Sequence, residues 1–290
     1  MTLPAGLPVV DHHCHLSPSG EGVAAARRFR AAGGTHLFLA TQTYGPSPPR
    51  SLAEYAHQFE TTEALARQVR TEVGVVVYPV IAPYPVDLVR QTAELGPDAA
   101  LGLHLGALDL AGRWVRERRA VALGEVGRAH FPVSEEVRGA IEAAFRHALE
   151  VARESDCPVV VHSDDLGPSG IQELGARGQE ARLPPGRVIK HYARARFAPS
   201  DRGSVTPSYL ARRELVREVR HDPAPWFLET DFLDDPARPG AVLDLATVPR
   251  RAAAIASAAP AEVELLYGPF VDSVERVYGF RPSVEPGGGG

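Results

Sequence analysis

Short apolar and β-branched runs alternate along the chain with longer segments whose apolar residues recur with a helical period. The runs have the length of strands and are apolar on both faces, which is typical of a parallel sheet covered by helices. Eight runs predict eight strands, near residues 8–15, 35–42, 74–82, 120–127, 158–164, 187–192, 203–208 and 226–232. The seventh has the weakest pattern because it is short and contains Pro207.

Helices are predicted between these strands. The candidates are Gly22–Ala32, Leu52–Glu72, Val86–Leu95, Ser134–Glu154 and Tyr209–Val219. After the eighth strand, Val248–Gly279 predicts two or more closing helices, although the run ELLYG within it could be a further strand. The alternation of strand and helix predicts an α/β fold, the TIM (β/α)8 barrel, and leaves a doubly wound open sheet as the rival architecture.

The length of 290 residues exceeds the usual size of a domain, but barrels of this kind commonly reach it as one domain. The chain contains no internal repeat and no proline-rich or charged linker that would divide it. We therefore expect a single domain over residues 1–290. Residues 286–290 end in four consecutive glycines and predict a flexible tail.

The formal net charge of −5 argues against broad, charge-driven binding of nucleic acid but leaves room for a local basic patch. The chain lacks an apolar run of the roughly eighteen residues that suggest a membrane span, and its N-terminus lacks the pattern of a signal peptide. Cys14 and Cys157 are too few for a disulfide framework and suit a reducing compartment. We expect a cytoplasmic protein that does not bind membranes.

Histidines and carboxylates fall at the C-terminal ends of the predicted strands, where barrel enzymes carry their catalytic groups. They are His13 and His15 on the first strand, Glu125 on the fourth, His162 on the fifth, His191 on the sixth and Asp231 on the eighth. Residues two apart on a strand point to the same side, so His13 and His15 can bind one cation together. Imidazole and carboxylate are the ligands expected for zinc, manganese or iron in a catalytic site.

A carboxylate such as Glu125 can bridge two cations, with His162 and His191 completing the second position. Two divalent cations (Zn, Mn or Mg) about 3.5–4 Å apart lower the pKa of a shared water and favour hydrolysis. The alternative is that each histidine is an ordinary core residue satisfied by a hydrogen bond. Burying six such groups at one barrel mouth without compensating charge would be strongly destabilising, which favours the metal interpretation.

The ordered segments VVDHHCHL, ALGEVGR, VVVHSDD, VIKHYA and FLETDF resemble the TatD-like metal-dependent hydrolases of the amidohydrolase superfamily, over about residues 8–280. The resemblance implies a TIM barrel with a dinuclear site, and several members are nucleases or phosphoesterases that act on DNA with divalent cations. It further implies ligand sets and catalytic roles. His13, His15, Glu125 and Asp231 would hold one cation, Glu125, His162 and His191 the other, and Asp231 would orient the attacking water and take its proton.

This chain departs from the family pattern where the substrate is expected. The usual GEIGLD reads GEVGRAHF here, which puts Arg128 in place of a leucine and Ala129 in place of an aspartate. The usual HSR reads HSD, so Asp164 replaces an arginine, and the FSG and ETDSP endings of the sixth and eighth motifs are absent. Arg128 is the best candidate for a cation that contacts substrate, since arginine suits phosphate, although a salt bridge to a neighbouring carboxylate is an equal alternative. His130 and Asp164 are the other candidate substrate-binding residues.

Three functions follow from these patterns. The first is a phosphodiesterase or nuclease whose partner is a small-molecule or nucleic-acid phosphoester. The second uses the same site on an amide, a lactone or another small ester, as the loss of the arginine suggests. The third is a barrel that binds metal or a partner without catalysis, and it ranks last because all six ligand positions are occupied. Ligand types alone do not distinguish zinc from manganese or magnesium, and the oligomeric state stays open.

Overall fold

Nine parallel strand segments form one curled sheet in the computed structural model, which describes Leu3 and residues 6–258 and 260–284. The predicted tail, residues 286–290, lies outside these residues. The strands are β1 Val10–His15, β2 His36–Ala40, β3 Val76–Ile81, β4 Ala122–Gly127, β5 Val159–His162, β6 Val188–Ala193, β7 Val205–Leu210, β8 Phe227–Glu229 and β9 Phe232–Leu233. Neighbours in sequence are neighbours in the sheet from β1 to β8, as the alternating pattern predicts.

The eighth predicted strand is divided, and this division closes the barrel. β8 pairs with β7, whereas β9 pairs with β1, and both pairings are parallel. Between the two segments, Asp231 donates its backbone N–H to the carbonyl oxygen of His13 at 2.9 Å. One chain segment therefore bridges the two edges of the sheet. The fold is the predicted TIM-type α/β fold, and the doubly wound open sheet is excluded.

Helices cover the outside of the sheet. They are α1 Val23–Ala31, α2 Leu52–Val73, α3 Pro85–Leu95, α4 Pro97–Arg116, α5 Glu135–Glu154, α6 Pro168–Glu180, α7 Arg213–Val219, α8 Thr247–Ala258 and α9 Ser273–Tyr278. The hydroxyls of Ser51 and Ser134 accept hydrogen bonds from backbone N–H groups in the first turns of α2 and α5, which fixes where these helices begin. None of the helices among the described residues is long and apolar enough to cross a membrane.

Three details of the predicted elements are corrected. The helix predicted at Tyr209–Val219 begins only at Arg213, because β7 continues through Leu210 to pair with β8. The run ELLYG is not a strand, since it lies in a 3-10 helix, Pro260–Leu266, and continues into a π-helix, Gly268–Asp272. α4 and α6 were not among the predicted helices, because their glycines weaken the helical pattern.

Aromatic rings fill the barrel interior near the N-terminal halves of the strands. The ring of His12 stacks on Phe227 with 3.8 Å between centroids, and its Nε2 lies 2.8 Å from the hydroxyl of Tyr278. Tyr278 in turn packs on Phe38, with 4.7 Å between centroids, so α9 inserts its last side chain into the barrel. The pairing of β1 with β2 is irregular between Asp11 and Cys14. This packing confines the candidate ligands to the C-terminal ends of the strands.

His104 on α4 is buried in the apolar layer between helices and sheet, and it makes stability depend on pH. It lines a cavity of about 10 Å³ with Leu88, Leu108, Val126 and Phe145, and its Nδ1 has no hydrogen-bond partner among the described residues. Burial lowers the pKa of His104 to about 3, from 6.5. The unfolded chain therefore takes up this proton at higher pH than the folded chain, and the folded state loses stability as the pH falls below 6.5.

We predict that His104→Leu removes this loss. Metal-free wild-type protein should lose about 1.4 kcal/mol of unfolding free energy per pH unit through His104 as the pH falls from 6.5 towards 4. Urea unfolding at pH 7 and pH 5 measures the effect, and the variant should lose about 2 kcal/mol less than wild type between these values. The comparison across pH cancels the change in packing. Equal losses in both proteins would contradict the prediction.

Candidate metal centre

The six candidate ligands meet at one end of the barrel. His13 and His15 come from the C-terminal half of β1, Glu125 from β4, His162 from the end of β5 and His191 from β6, while Asp231 lies between β8 and β9. Parallel strands of a barrel end at the same mouth, which brings these six side chains together from across the chain. The six side chains converge as the sequence predicts.

Four of the side chains form a first cluster. Nε2 of His13 lies 2.8 Å from Oε1 of Glu125 and 3.2 Å from Nε2 of His15. Oδ1 of Asp231 lies 3.6 Å from Nε2 of His13 and 3.7 Å from Nε2 of His15. Each of the four residues thus offers one donor atom, and these atoms all lie within 4.8 Å of one another. The arrangement can surround one cation.

A second cluster shares Glu125 with the first. Oε1 of Glu125 lies 3.1 Å from Nε2 of His191, and its Oε2 lies 3.4 Å from Nδ1 of His162. The two histidine nitrogens are 3.4 Å apart. Glu125 is therefore the one residue common to both clusters, which is the geometry that a bridging carboxylate needs.

The electrostatics of the clusters suit divalent cations. Burial raises the pKa of Glu125, but the imidazoles of His191, His162, His13 and His15 outweigh it and hold that pKa well below its usual range. Burial lowers the pKa of His191 well below its usual range, so its imidazole is neutral and has a lone pair to donate. Carboxylates and imidazoles that converge at one largely buried point are the donor set of a zinc or manganese site. The residues present therefore fit such cations.

Asp11 binds the backbone of two neighbouring segments at this mouth, β1 and the residues after β8. It was not among the predicted site residues. Its carboxylate accepts hydrogen bonds from the N–H of His13 at 3.2 Å and from the N–H and hydroxyl of Thr230 at 3.0 and 2.6 Å. Thr230 precedes Asp231, whose φ of 47° lies in the left-handed region that aspartate tolerates better than most residues. The spacing of Asp11, His13 and His15 two apart in β1 was the signal available.

His162 connects the second cluster to two residues outside it. Its Nε2 lies 2.8 Å from Nδ1 of His130 and 3.3 Å from the hydroxyl of Tyr84. His130 is exposed in the loop after β4, so the predicted substrate-binding histidine does lie at the mouth. Tyr84, in the loop after β3, was missed, although it follows a predicted strand by two residues. Both can reach a molecule bound beside His162.

Arg128 is engaged by two carboxylates. Its Nε lies 3.0 Å from Glu142 on α5, and its terminal nitrogen lies 2.5 Å from Glu173 on α6. Arg177 on α6 pairs with the same two glutamates at 2.6 and 3.1 Å. The four residues form part of the lining of a pocket of about 460 Å³ beside the loop that follows β4. These contacts are the salt-bridge alternative to substrate contact by Arg128.

The other charged residues near the mouth differ in their pairing. Asp164 is exposed and has no ion pair within the described ranges, whereas Asp165 pairs with Arg194 at 3.0 Å. Lys190 is buried, and its Nζ donates to the carbonyl oxygens of His191 at 2.6 Å and Ser163 at 3.4 Å. Burial lowers the pKa of Lys190 to about 8.

A family model described as "TatD related DNase" matches residues 10–279. The matched range begins at the start of β1 and ends after α9, so it includes the whole barrel and all six candidate ligands.

Individual proteins are also similar to this chain over nearly its whole length. An uncharacterized protein of Methanocaldococcus jannaschii is 26% identical over 276 residues, which cover 94% of this chain and 96% of that protein. YJJV, a TatD homolog from Escherichia coli, is 17% identical with a TM-score of 0.60, over 93% of this chain and 98% of its own. A mutant PTE-like lactonase from Deinococcus radiodurans is 15% identical with a TM-score of 0.58, over 95% and 96%. At these identities the two solved structures share the fold.

Proposed function

Since the chain belongs to the TatD-related DNase family, we propose that it hydrolyses phosphoester bonds, phosphodiesters of the DNA type first, with two divalent cations at the barrel mouth. One observation carries the proposal: Glu125 contacts both clusters of ligand atoms at once, with its Oε1 near His13, His15 and His191 and its Oε2 near His162. Hydrolysis itself is the chemistry of the family, and the substrate is the part proposed.

The chain's own residues divide the work. His13, His15, Glu125 and Asp231 would hold one cation, and Glu125, His162 and His191 the other. Bound there, zinc, manganese or magnesium lowers the pKa of water and polarises the bond under attack. The side chain of Asp231 is 15% exposed and that of Glu125 only 5%, so Asp231 is the carboxylate that water can reach. Asp231 would orient the attacking water and accept its proton on Oδ1.

Two arginine side chains support an anionic substrate. Arg212 and Arg213 directly follow β7 at the end of the barrel where the ligand clusters lie. Both are exposed, and neither has a carboxylate within 4.0 Å in the part of the chain that the structure describes. They can therefore attract phosphates without first breaking an ion pair.

A second candidate is a small uncharged ester, lactone or amide. The observation that favours it is the pairing of arginines on the side of strands β4 to β6, where Arg128 faces Glu142 and Glu173 and Arg194 faces Asp165. Asp164 adds a negative charge there in place of the family's arginine. An uncharged substrate avoids the repulsion that the negative charge of a phosphodiester meets on this side. The likeness to a lactonase supports only the fold.

Activity assays with protein loaded separately with zinc, manganese and magnesium test the two candidates. We expect turnover of bis(p-nitrophenyl) phosphate and of a single-stranded DNA oligonucleotide, with slower hydrolysis of γ-butyrolactone and p-nitrophenyl acetate. Turnover of the lactone or ester alone would replace the first candidate by the second. A metal-loaded protein that hydrolyses none of them would favour the third hypothesis, a barrel that binds metal without catalysis.

Arg128 separates substrate contact from a structural role. Its two ion pairs predict that Arg128→Leu changes KM for bis(p-nitrophenyl) phosphate less than two-fold, because the charge of the guanidinium is already paired with two carboxylates. Arg177→Leu is the matched control, since Arg177 pairs with the same two glutamates from α6. A rise in KM of about tenfold confined to Arg128→Leu, the loss expected for one charged hydrogen bond, would instead support substrate contact.

The domain organisation and the cellular location are also proposals. We treat the chain as one catalytic domain, and we propose a cytoplasmic location because Cys14 and Cys157 are both buried and unpaired.

A further inference from the structure

The two ring nitrogens of His191 face different groups. Nε2 points into the second cluster, towards Glu125 at 3.1 Å and His162 at 3.4 Å. Nδ1 is buried and has no hydrogen-bond partner among the residues that the structure describes. The carboxylate that it faces is Glu229, whose Oε1 lies 3.6 Å away.

Glu229 is fully buried at the end of β8, two residues before Asp231. Its Oε1 accepts a hydrogen bond of 2.6 Å from the backbone N–H of Tyr192, the residue after His191. Tyr192 has a φ of 56°, a left-handed conformation that costs free energy for a tyrosine. The other oxygen, Oε2, is buried and has no partner within the described ranges. Glu229 is thus anchored beside His191 with acceptor capacity left over.

Nδ1 of His191 and Oε2 of Glu229 are both buried without partners, which is costly, and the same carboxylate brings its Oε1 to 3.6 Å from Nδ1. A shift of about half an ångström brings Nδ1 and the carboxylate within hydrogen-bond distance. A hydrogen bond from Nδ1–H fixes the imidazole as the tautomer whose lone pair is on Nε2, the atom in the second cluster. Carboxylates commonly hold metal-binding histidines in this way.

His13, His191 and Glu229 also offer three ligand atoms within 4.8 Å of one another, which could be taken as a third cation site. That site would use a nitrogen of His191 while the other nitrogen serves the second cluster. A neutral imidazole has only one lone pair. His191 therefore cannot bind a cation through each of its two nitrogens unless the ring loses its proton. The geometry therefore favours Glu229 as the partner of Nδ1–H.

We propose that Glu229 is the positioning residue of His191: it accepts the Nδ1–H hydrogen bond, fixes the tautomer and ring orientation, and so sets the affinity of the second cation. The inference rests on the metal centre proposed above. It adds a residue that lies outside both ligand clusters around Glu125 and that acts through His191 without touching substrate.

Zinc affinities of Glu229→Ala and Glu229→Gln test the proposal by competition with a chelator. Loss of an outer partner typically weakens metal binding by about 10- to 100-fold, and we expect this for the second equivalent in Glu229→Ala, with the first within about two-fold. Glu229→Gln should recover part of the loss because its amide oxygen still accepts. Asp234→Asn is the matched control, a buried carboxylate at the same mouth that bonds only to backbone N–H groups, and both its equivalents should stay.

Nitrogen-15 spectra of histidine in the zinc-loaded protein give a readout that a purely structural role would not move. We expect His191 as the Nδ1–H tautomer with a downfield proton, and we expect that proton to be lost in Glu229→Ala. Unchanged zinc affinity and tautomer in Glu229→Ala would overturn the inference, as would loss of a third zinc equivalent. A wild type that binds no zinc would overturn it together with the metal centre. Zinc binding without turnover of any substrate contradicts the proposed function alone.

Discussion

Glu125→Ala is expected to lose both divalent cations and to lower kcat by about 10³-fold or more, since the metal ions supply several kcal/mol of transition-state stabilisation. The reason is the position of Glu125 between the clusters: its Oε1 faces His13 and His191, and its Oε2 faces His162. Removing a ligand that serves only one cluster should leave the other cation. Elemental analysis of the purified, metal-loaded variant measures the number of equivalents.

Two variants make this result interpretable. His15→Ala removes a ligand of the first cluster alone, so it should retain about one equivalent. Glu150→Ala removes an exposed glutamate on α5 and should retain two. If Glu125→Ala held two equivalents, Glu125 would not bridge the clusters and the proposed ligand sets would be wrong. Thermal unfolding of the metal-free variants distinguishes loss of ligands from loss of the fold.

The strands were predictable because a parallel sheet buried on both faces leaves uninterrupted apolar runs. The fourth run, 120–127, contains β4, and the fifth, 158–164, contains β5. The division of the eighth strand was not predictable from its own residues. It depends on the pairing of β9 with β1 and on the carboxylate of Asp11, which binds Thr230 from 219 positions away. Closure of a barrel is a long-range property.

The candidate ligands were predictable for a related reason. Each lies in the C-terminal half of a predicted strand, and these halves of a parallel barrel's strands meet at one mouth. Glu229 and Tyr84 were missed although they lie within two residues of a predicted ligand or strand. A glutamate or a tyrosine does not by itself indicate a functional site until the residue that it contacts is known. The surroundings of Arg128 were hidden for a different reason. Glu142 and Glu173 lie on separate helices, and only the folded arrangement of α5 and α6 brings them both to Arg128.

Asp231→Asn is expected to keep the second cation and to lower kcat by about 10²- to 10⁴-fold, the contribution of a positioned general base. Asp231 faces His13 and His15 but makes no ion pair with His162 or His191 among the described residues, so the second cluster should be intact. KM should change little if the lost function is proton transfer instead of substrate binding. Steady-state kinetics with bis(p-nitrophenyl) phosphate, alongside metal analysis, measures both.

Asparagine is the informative replacement because it changes the chemistry and preserves the backbone. The φ of 47° at Asp231 is tolerated by asparagine, whereas Asp231→Ala adds strain of about 1 kcal/mol at a residue that links β8 to β9. Asp235→Asn, in the loop that follows, is the control for loss of a carboxylate and should keep kcat. Full activity in Asp231→Asn with both cations bound would assign proton transfer to another group. If Asp231→Asn lost kcat only in proportion to the metal that it lost, Asp231 would act as a ligand alone. A general base affects kcat even when both cations are bound, because the attacking water must still give up its proton.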